Sequence, residues 1–452
     1  MLVSGHILFF FYRFLLVPTI IFFLRFLPRI LSEKIHQMSE DRLNFRWPKL
    51  PSRPLWIHAA SGEIEYAKPL IRALKAKWPQ RMILVTYYST SAKKLILDTP
   101  GIDALVPLPW DQRRIVHRFL DHFRPEIFLL ARSDVWPEFV HQCRQRKIPV
   151  ILFSATLATQ SSRLGFFASP LTRFGLDQLD LIDCVSEEDA AEIAKIGSRT
   201  RCLVSGDTRY DQVSWRLQHP RPVKDLREPG ASPEREPGAS PNREPGASPL
   251  TFVIGSSWPQ DESVILPVLA EFIAHGGRVI LAPHEIDAAR LRGLEKQLAQ
   301  LNLKSVRYSR CSHWGTDEIL LVDEVGPLQE LYTWGQVAFV GGSFKSKVHS
   351  VMEPLMAGLP TFVGPKHSNN REALHFQNIR LKDVHFSNSS NEKSLFLVTV
   401  LNDSDELRRR LMSMLHESPS QWPKVKQEIR QKLSEKVGAT KTLMEQIEAL
   451  SR

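Results

Sequence analysis

The sequence predicts an α/β protein made of two halves, each a doubly wound parallel sheet, and three observations carry that prediction. Apolar runs at Leu55–Ala60, Ile83–Tyr87, Ala104–Leu108, Ile127–Ala131, Val150–Ser154, Leu181–Val185 and Cys202–Ser205 are separated by segments of helical spacing such as Ala67–Trp78 and Glu187–Ile196. The runs are apolar almost throughout rather than alternating, which marks strands covered by helices on both faces. The rhythm stops near Asp211 and resumes at Thr251, with Thr251–Gly255, Arg278–Ala282, Ile319–Val322, Val337–Val340 and Thr361–Val363. At 452 residues the chain is long for one core and comfortable for two.

Composition narrows the class. Hydrophobic residues make up 43% and charged residues 24%, a globular balance. A net charge of +10 points to an anionic partner, whether nucleic acid, phospholipid headgroups or a phosphorylated substrate. No nucleic-acid-binding motif accompanies the charge, so a nucleic-acid partner is not expected. Cys143, Cys184, Cys202 and Cys311 lie far apart without metal-binding spacing, the pattern of reduced thiols in a cytosol-facing protein.

Ile7 to Leu24 is an apolar run interrupted by Arg13 and Pro18, just long enough to span a bilayer. Positive charge follows it at Arg25, Arg29 and Lys34, which orients the remaining chain to the cytoplasm. Spanning and lying in the interface both remain open, because Arg13 could snorkel, and a buried helix of the globular body is the alternative. Between the halves, REPGASP occurs at 227–233, 235–241 and 243–249. Proline, glycine and charge without a larger apolar residue cannot build a core, so the repeat is expected to be a disordered linker. The chain thus divides into a membrane anchor and connector (1–45), a first sheet domain (46–215), a linker (216–250), a second sheet domain (251–430) and a closing helix (431–452) that crosses back to the first.

The most informative stretch is Val337 to Pro365. A buried strand empties into Gly341-Gly342-Ser343, a short helix over Val351–Ala357 follows, and Gly358 with Pro360 stops it. Such a strand edge is where open α/β sheets bind ligands, and a helix start there favours an anion. Glu353 in that helix is placed either to accept hydrogen bonds from two ribose hydroxyls or to offset the helix dipole. Gly341-Gly342-Ser343-Phe344, His349, Glu353-Pro354, Gly358, Pro360 and Gly364-Pro365 together resemble the donor-site signature of the Kdo transferases. These are glycosyltransferases of the GT-B fold, which move 3-deoxy-manno-octulosonate (Kdo) from CMP-Kdo to a lipid A precursor. The resemblance implies two Rossmann-like domains with the active site in the cleft between them. Lys347-Val348-His349-Ser350 stands where the family usually has Gly-Gly-His-Asn.

In the first half, strand Leu55–Ala60 empties into Ser61-Gly62-Glu63, where Glu63 is either a general base or a helix cap. His58-Ala59-Ala60-Ser61-Gly62-Glu63 resembles the family's His-Ala-x-Ser-Val-Gly-Glu, one residue shorter, and the resemblance implies that Glu63 is the proton acceptor. Leu130-Ala131-Arg132-Ser133-Asp134-Val135-Trp136-Pro137 resembles Glu-Thr-Glu-Leu-Trp-Pro, with Asp134 at the second acidic position and Arg132 replacing the first. Ser154-Ala155-Thr156-Leu157 replaces a nearby Asn-Ala-Arg-Leu, so one arginine is gained and one lost, as if a charge had moved within one pocket. Gly206-Asp207-Thr208-Arg209-Tyr210-Asp211 resembles Gly-Asn-x-Lys-Phe-Asp, which implies that Arg209 carries the cation stabilising the transition state.

In the second half, Gly255-Ser256-Ser257 could receive phosphate on backbone N–H groups. Ala282-Pro283-His284-Glu285 and Val325-Gly326-Pro327 lie where the family contacts cytidine. The resemblance therefore implies CMP binding by Pro283, His284, Val325, Gly326 and Pro327, and by Ser350, Val351, Met352 and Glu353, with Asn369 and Glu372 holding the loop. It further implies inverting transfer of Kdo from CMP-Kdo to lipid IVA, the phosphate charge being met by Arg209, His284 and helix N-termini. No cofactor and no metal is expected, the partners being CMP-Kdo, the lipid A precursor and inner-membrane lipids, with the catalytic domains on the cytoplasmic side. Another GT-B nucleotide-sugar enzyme and an inactive membrane-bound homologue are the alternatives.

Overall fold

The structure is a computed structural model, and it describes residues 5–26, 38–42, 45–89, 93, 96–97, 99–157, 165, 168–224, 226, 250–315, 318–381 and 395–450. The chain forms two compact units, one of Met1–Gln212 with Lys436–Arg452 and one of Val213–Glu435.

The first unit opens with the apolar helix, in three segments: α1 (Gly5–Phe11), a π-helical turn (Tyr12–Leu16) and α2 (Val17–Phe26). The widened turn lies just before Pro18, which has no N–H for the Phe14 carbonyl and whose ring crowds that turn. Residues Gly5–Leu24 are long and apolar enough to cross a membrane. Only 11% of that window is buried, so the segment is not a core helix. One face, at Phe9 and Val17, packs inward, while Phe10, Phe11, Phe14, Leu15, Leu16, Ile20, Phe22 and Phe23 face out. Arg13 does not snorkel to solvent, because its Nη2 donates to buried Glu138 at 2.8 Å. Beside it the Tyr12 hydroxyl donates to Asp111 Oδ2 at 2.6 Å. Arg29 and Lys34, on which the expected orientation partly rests, lie outside the described residues.

The rest of this unit alternates: β1 (Leu55–His58), α3 (Ile64–Lys77), β2 (Ile83–Tyr87), β3 (Ala104–Pro107), α4 (Arg113–Phe123), β4 (Ile127–Ala131), α5 (Pro137–Gln145), β5 (Val150–Ala155), α6 (Ala168–Leu176), β6 (Leu181–Cys184), α7 (Glu187–Lys195), β7 (Cys202–Val204) and α8 (Thr208–Gln218). All pairings are parallel, in the order β3-β2-β1-β4-β5-β6-β7. The order reverses between β1 and β4, so the loops leaving those two strands flank the crevice of a doubly wound sheet. One face of the sheet is sealed by Trp56 stacked on Phe128 at 3.4 Å between centroids, with Phe119 and Phe139 around them.

The second unit repeats the plan with β8 (Thr251–Ser257), α9 (Pro259–Ala274), β9 (Arg278–Pro283), α10 (Ala288–Gln300), β10 (Lys304–Arg307), β11 (Glu318–Leu321), α11 (Leu328–Leu331), β12 (Val337–Val340), α12 (Met352–Ala357), β13 (Thr361–Val363), α13 (Arg371–Phe376), β14 (Val398–Val400), α14 (Ser404–Leu415) and α15 (Gln421–Ser434). Its sheet is also parallel, in the order β10-β11-β9-β8-β12-β13-β14, with the reversal between β8 and β12. The last helix, α16 (Ala439–Leu450), buries Leu443, Met444 and Ile447 in the core of the first unit. Its start is tied to Asp211, which accepts from the N–H groups of Gly438 at 2.6 Å and Thr440 at 2.7 Å.

Three features differ from expectation. The edge strands β10 and β14 were not expected; β10 buries little and has no continuous apolar run, whereas β14 is a three-residue strand within the buried apolar stretch Leu395–Leu401. The Gly255-Ser256-Ser257 segment is not a phosphate turn, because β8 continues through Ser257 by way of a bulge with Ser256 at φ +55°. Part of the expected linker is built into the second unit. The N–H of Arg221 donates to Glu330 at 3.0 Å, that of Lys224 to the Tyr308 hydroxyl at 3.0 Å, and Leu226 is fully buried. The REPGASP repeats lie outside the described residues.

Candidate active site

In the first unit the sequence-predicted residues gather where β1, β4 and β5 end. Glu63 stands in the position before α3, yet its carboxylate does not cap that helix. Its Oε2 instead accepts the N–H of Ser61 at 2.7 Å, closing the shortened turn on itself. His58, fully buried at the end of β1, is fixed through Nδ1 by the Thr86 carbonyl at 3.1 Å and the Thr86 hydroxyl at 3.0 Å. Its Nε2 faces Asp134 Oδ2 at 3.6 Å, longer than a hydrogen bond. Asp134 is thus next to the strand end that leads to Glu63.

Arg132 and Thr156, the two exchanged positions, are in contact: Arg132 Nη2 donates to the Thr156 hydroxyl at 3.2 Å. The guanidinium gained on β4's exit loop therefore occupies the neighbourhood of the one lost after β5. Arg132 also donates to the Tyr66 hydroxyl at 2.8 Å, and its guanidinium lies 4.9 Å from that ring. The Arg209 guanidinium lies 5.9 Å from the same ring, so two cations approach Tyr66. Arg132 and Ser154 both have left-handed backbones, φ +65° and +48°, an uncommon state for side-chain-bearing residues that clusters at functional strand ends.

Sequence reading overlooked Tyr66 and Thr208. Thr208, fully buried, receives the Ser154 hydroxyl at 2.9 Å and donates to the Tyr66 carbonyl at 2.8 Å, pinning the start of α8 and with it Arg209. Their helical spacing looks like core packing, and no local signal separates them from it.

In the second unit the glycine loop after β12 meets β8. Gly341 is obligatory, since an added Cβ would lie 2.2 Å from the Ser256 carbonyl oxygen. Gly342 adopts φ +91° and donates its N–H to Asp261 Oδ2 at 2.7 Å. Asp261, in the first turn of α9 and fully buried, also accepts from Trp258 N at 2.9 Å and Phe344 N at 3.0 Å. These loop N–H groups are spent on Asp261. Burial raises the carboxyl pKa of Asp261.

A ring stack follows. His284 stacks on Trp258 at 4.7 Å and on His349 at 4.3 Å, and the Trp258 indole N–H donates to His349 Nε2 at 3.1 Å. Burial lowers the His284 pKa, and burial, then His284 and Lys345, lower that of His349 to about 4. His284 is therefore held neutral near pH 7, against its expected service as a cation for phosphate. The positive charge at this place is Lys345, whose Nζ lies 3.1 Å from the centre of the Trp258 ring. Pro283, the end of β9, is buried beside this stack.

Glu353 sits in the first turn of α12, half-buried, with Val351 and Met352 buried before it. Its charge and, above all, burial raise the pKa of the fully buried Tyr332 phenol. The Ser350 hydroxyl accepts the Met352 N–H at 3.3 Å. Asn369 clamps the loop by exchanging two 3.0 Å bonds with the Val348 backbone, and Asn370, overlooked in the sequence, holds the His349 carbonyl at 2.8 Å. The Val325-Gly326-Pro327 loop leads into α11, with Val325 90% exposed and its apolar side chain offered to solvent. Behind it Arg216 grips Glu330 at 2.9 and 3.1 Å. Among the described residues no group of three or more His, Cys, Asp or Glu side chains is disposed to hold a metal ion.

Two doubly wound parallel units, one with acidic and cationic side chains at its switch point and one with an aromatic, glycine-rich cradle, make up a fold of the GT-B type. The UDP-GlcNAc 2-epimerase from Neisseria meningitidis shares this fold at a TM-score of 0.55 and 12% identity, over 88% of this chain and 99% of that one. Residues 34–212 match the family described as 3-deoxy-D-manno-octulosonic-acid transferase (kdotransferase). The 3-deoxy-D-manno-octulosonic acid transferase of Haemophilus influenzae is 25% identical over 89% of this chain and 92% of its own length. The enzyme of the same name from Chlamydophila psittaci is 24% identical over 75% and 77%. The chain is thus similar to Kdo transferases over most of its length.

Proposed function

We propose that the protein transfers Kdo from CMP-Kdo to a lipid A precursor, lipid IVA, with inversion at the anomeric carbon. The observation that carries this reading is Glu63, a carboxylate at the end of β1 that does not cap its helix and, among the described residues, forms no ion pair, on the same sheet edge as Asp134 and the Arg132–Tyr66–Arg209 group. Glu63 removes the proton from the acceptor hydroxyl as its oxygen bonds the anomeric carbon and the CMP phosphate departs with the bonding pair. Arg209 meets the charge that develops on the leaving phosphate. In the second unit, Glu353 accepts the ribose hydroxyls, Val325, Gly326 and Pro327 border the base, and Lys345 replaces His284 as the nearby cation.

No metal or cofactor takes part in this scheme. Transfer that EDTA abolished and Mg²⁺ restored would refute that point. The apolar helix associates with the membrane, and the reading places it in the inner membrane with both units on the cytoplasmic side. The test is to incubate membranes containing the protein with CMP-Kdo and lipid IVA and to weigh the lipid by mass spectrometry. Lipid carrying added Kdo is expected, and unmodified lipid would refute the assignment.

A further inference from the structure

Beside the first-unit site lies a chamber of about 290 Å³ that the reaction above does not use. Its walls are largely apolar, with Val135 from the β4–α5 connection and Leu152, Leu157, Leu176, Ile193 and Ile196 from β5, α6, α7 and the residues adjoining them. Its lining also includes Arg132, Asp134 and Thr156, of which Arg132 and Thr156 are in contact and Asp134 lies beside His58 at the strand end that leads to Glu63. Tyr12 of the N-terminal apolar helix forms another part of the wall, held there by its bond to Asp111. Trp136 also lines it, and the indole N–H of Trp136 is buried with no hydrogen-bond partner among the described residues.

A cavity with apolar walls and one polar cluster matches a molecule that is hydrocarbon at one end and polar at the other. Its volume holds roughly ten groups of water size, at about 30 Å³ each, enough for a stretch of methylenes. The helix that supplies Tyr12 turns a row of exposed Phe and Leu side chains away from the unit, so the chamber is walled by the element that meets lipid. The unpartnered Trp136 N–H is a donor suited to an ester or amide carbonyl, the group that joins a fatty chain to its sugar.

We propose that this chamber receives one fatty acyl chain of the lipid acceptor and so positions the acceptor sugar toward Glu63. The inference rests on the function proposed above. The occupant is a single acyl chain: apart from the Arg132 end of its lining the chamber is mostly apolar, so most polar groups of a sugar phosphate would be left without partners.

The experiment compares two acceptors in detergent solution with CMP-Kdo: the acylated precursor and the same phosphorylated disaccharide stripped of its acyl chains. Thr172 and Leu171 on α6 line the chamber and are half-buried, so bulk added there enters the space without splitting the core. The wild-type protein is expected to prefer the acylated acceptor in kcat/KM, and Thr172→Trp and Leu171→Trp are each expected to cut that preference at least tenfold. Thr172→Val, close in volume to the original, should retain it, and thermal melts confirm that each variant folds. Equal kcat/KM for both acceptors in the wild type, or an unaltered preference in both filled variants, would overturn the acyl-chain site. Failure of the wild type to modify either acceptor would instead overturn the function itself.

Discussion

Replacing Asp261 by Asn perturbs the joint on which the second-unit site depends. The carboxylate takes three backbone N–H groups at once, Trp258 and Gly342 on Oδ2 and Phe344 on Oδ1. An amide has one acceptor oxygen. If that oxygen takes the place of Oδ2, the Phe344 N–H faces an NH₂ group and one bond to a charged acceptor is lost, at about 1.5–3 kcal/mol, with a further 1–3 kcal/mol for the unmatched buried donor. Burial already opposes the charge on Asp261, so its removal returns part of that cost and sets the net loss near 2–3 kcal/mol. The urea midpoint of the second unit's transition should fall accordingly. The Gly342 turn should loosen with it, so that CMP affinity drops by roughly tenfold, about 1.4 kcal/mol. Urea unfolding of the full chain followed by fluorescence, with calorimetric titration of CMP on the same sample, reads both. A stability loss below about 0.5 kcal/mol with intact CMP affinity would refute the role given to Asp261.

Glu353→Gln should weaken CMP binding by about 1–3 kcal/mol if a buried charged hydrogen bond to the ribose is lost, and unaltered calorimetric affinity would return Glu353 to a helix-dipole role. His349 should make the second unit less stable as pH falls from about 6.5, where the unfolded imidazole protonates, to about 4, where the folded one does. Its folded pKa is depressed, so the unfolded state takes up the proton first and gains from acid. His349→Gln should flatten that part of a melting-temperature series against pH. Arg13→Met should destabilise the first unit by about 3–5 kcal/mol by leaving Glu138 buried and unpaired, and adding Glu138→Gln should restore most of the loss in the same melts. Removal of residues 1–30 should cost more activity on acceptor in membranes than on acceptor in detergent, and equal losses would refute an anchoring role.

Most of the scaffold was legible because central parallel strands are buried on both faces and must be apolar throughout. Ile83–Tyr87, Ile127–Ala131, Val337–Val340 and Thr361–Val363 match the observed strands to the residue. The edge strand β10 was not, since Lys304-Ser305-Val306-Arg307 is half-polar and leaves no such run, while β14 is only three residues long inside the apolar stretch Leu395–Leu401. The placement of the candidate residues was legible where they sit in a turn next to a strand end, as at Glu63, Asp134 and Gly341. It was illegible where a role depends on distance across the fold. Asp261 looks like an ordinary first-turn acid until Gly342 and Phe344 are seen to point at it. His284 looks like a cation in the sequence and becomes a neutral, stacked ring only because Trp258 and His349 enclose it.

The most direct test of Glu63 as the base is the rate of Kdo addition to lipid IVA by wild-type and Glu63→Gln protein, followed by mass spectrometry at saturating CMP-Kdo. Gln keeps an oxygen for the Ser61 N–H and preserves the turn, but it cannot take a proton. The variant should fold, bind CMP as the wild type does, and turn over roughly 10²–10⁴-fold more slowly. Turnover of Glu63→Gln at the wild-type rate would contradict the base assignment and the mechanism built on it.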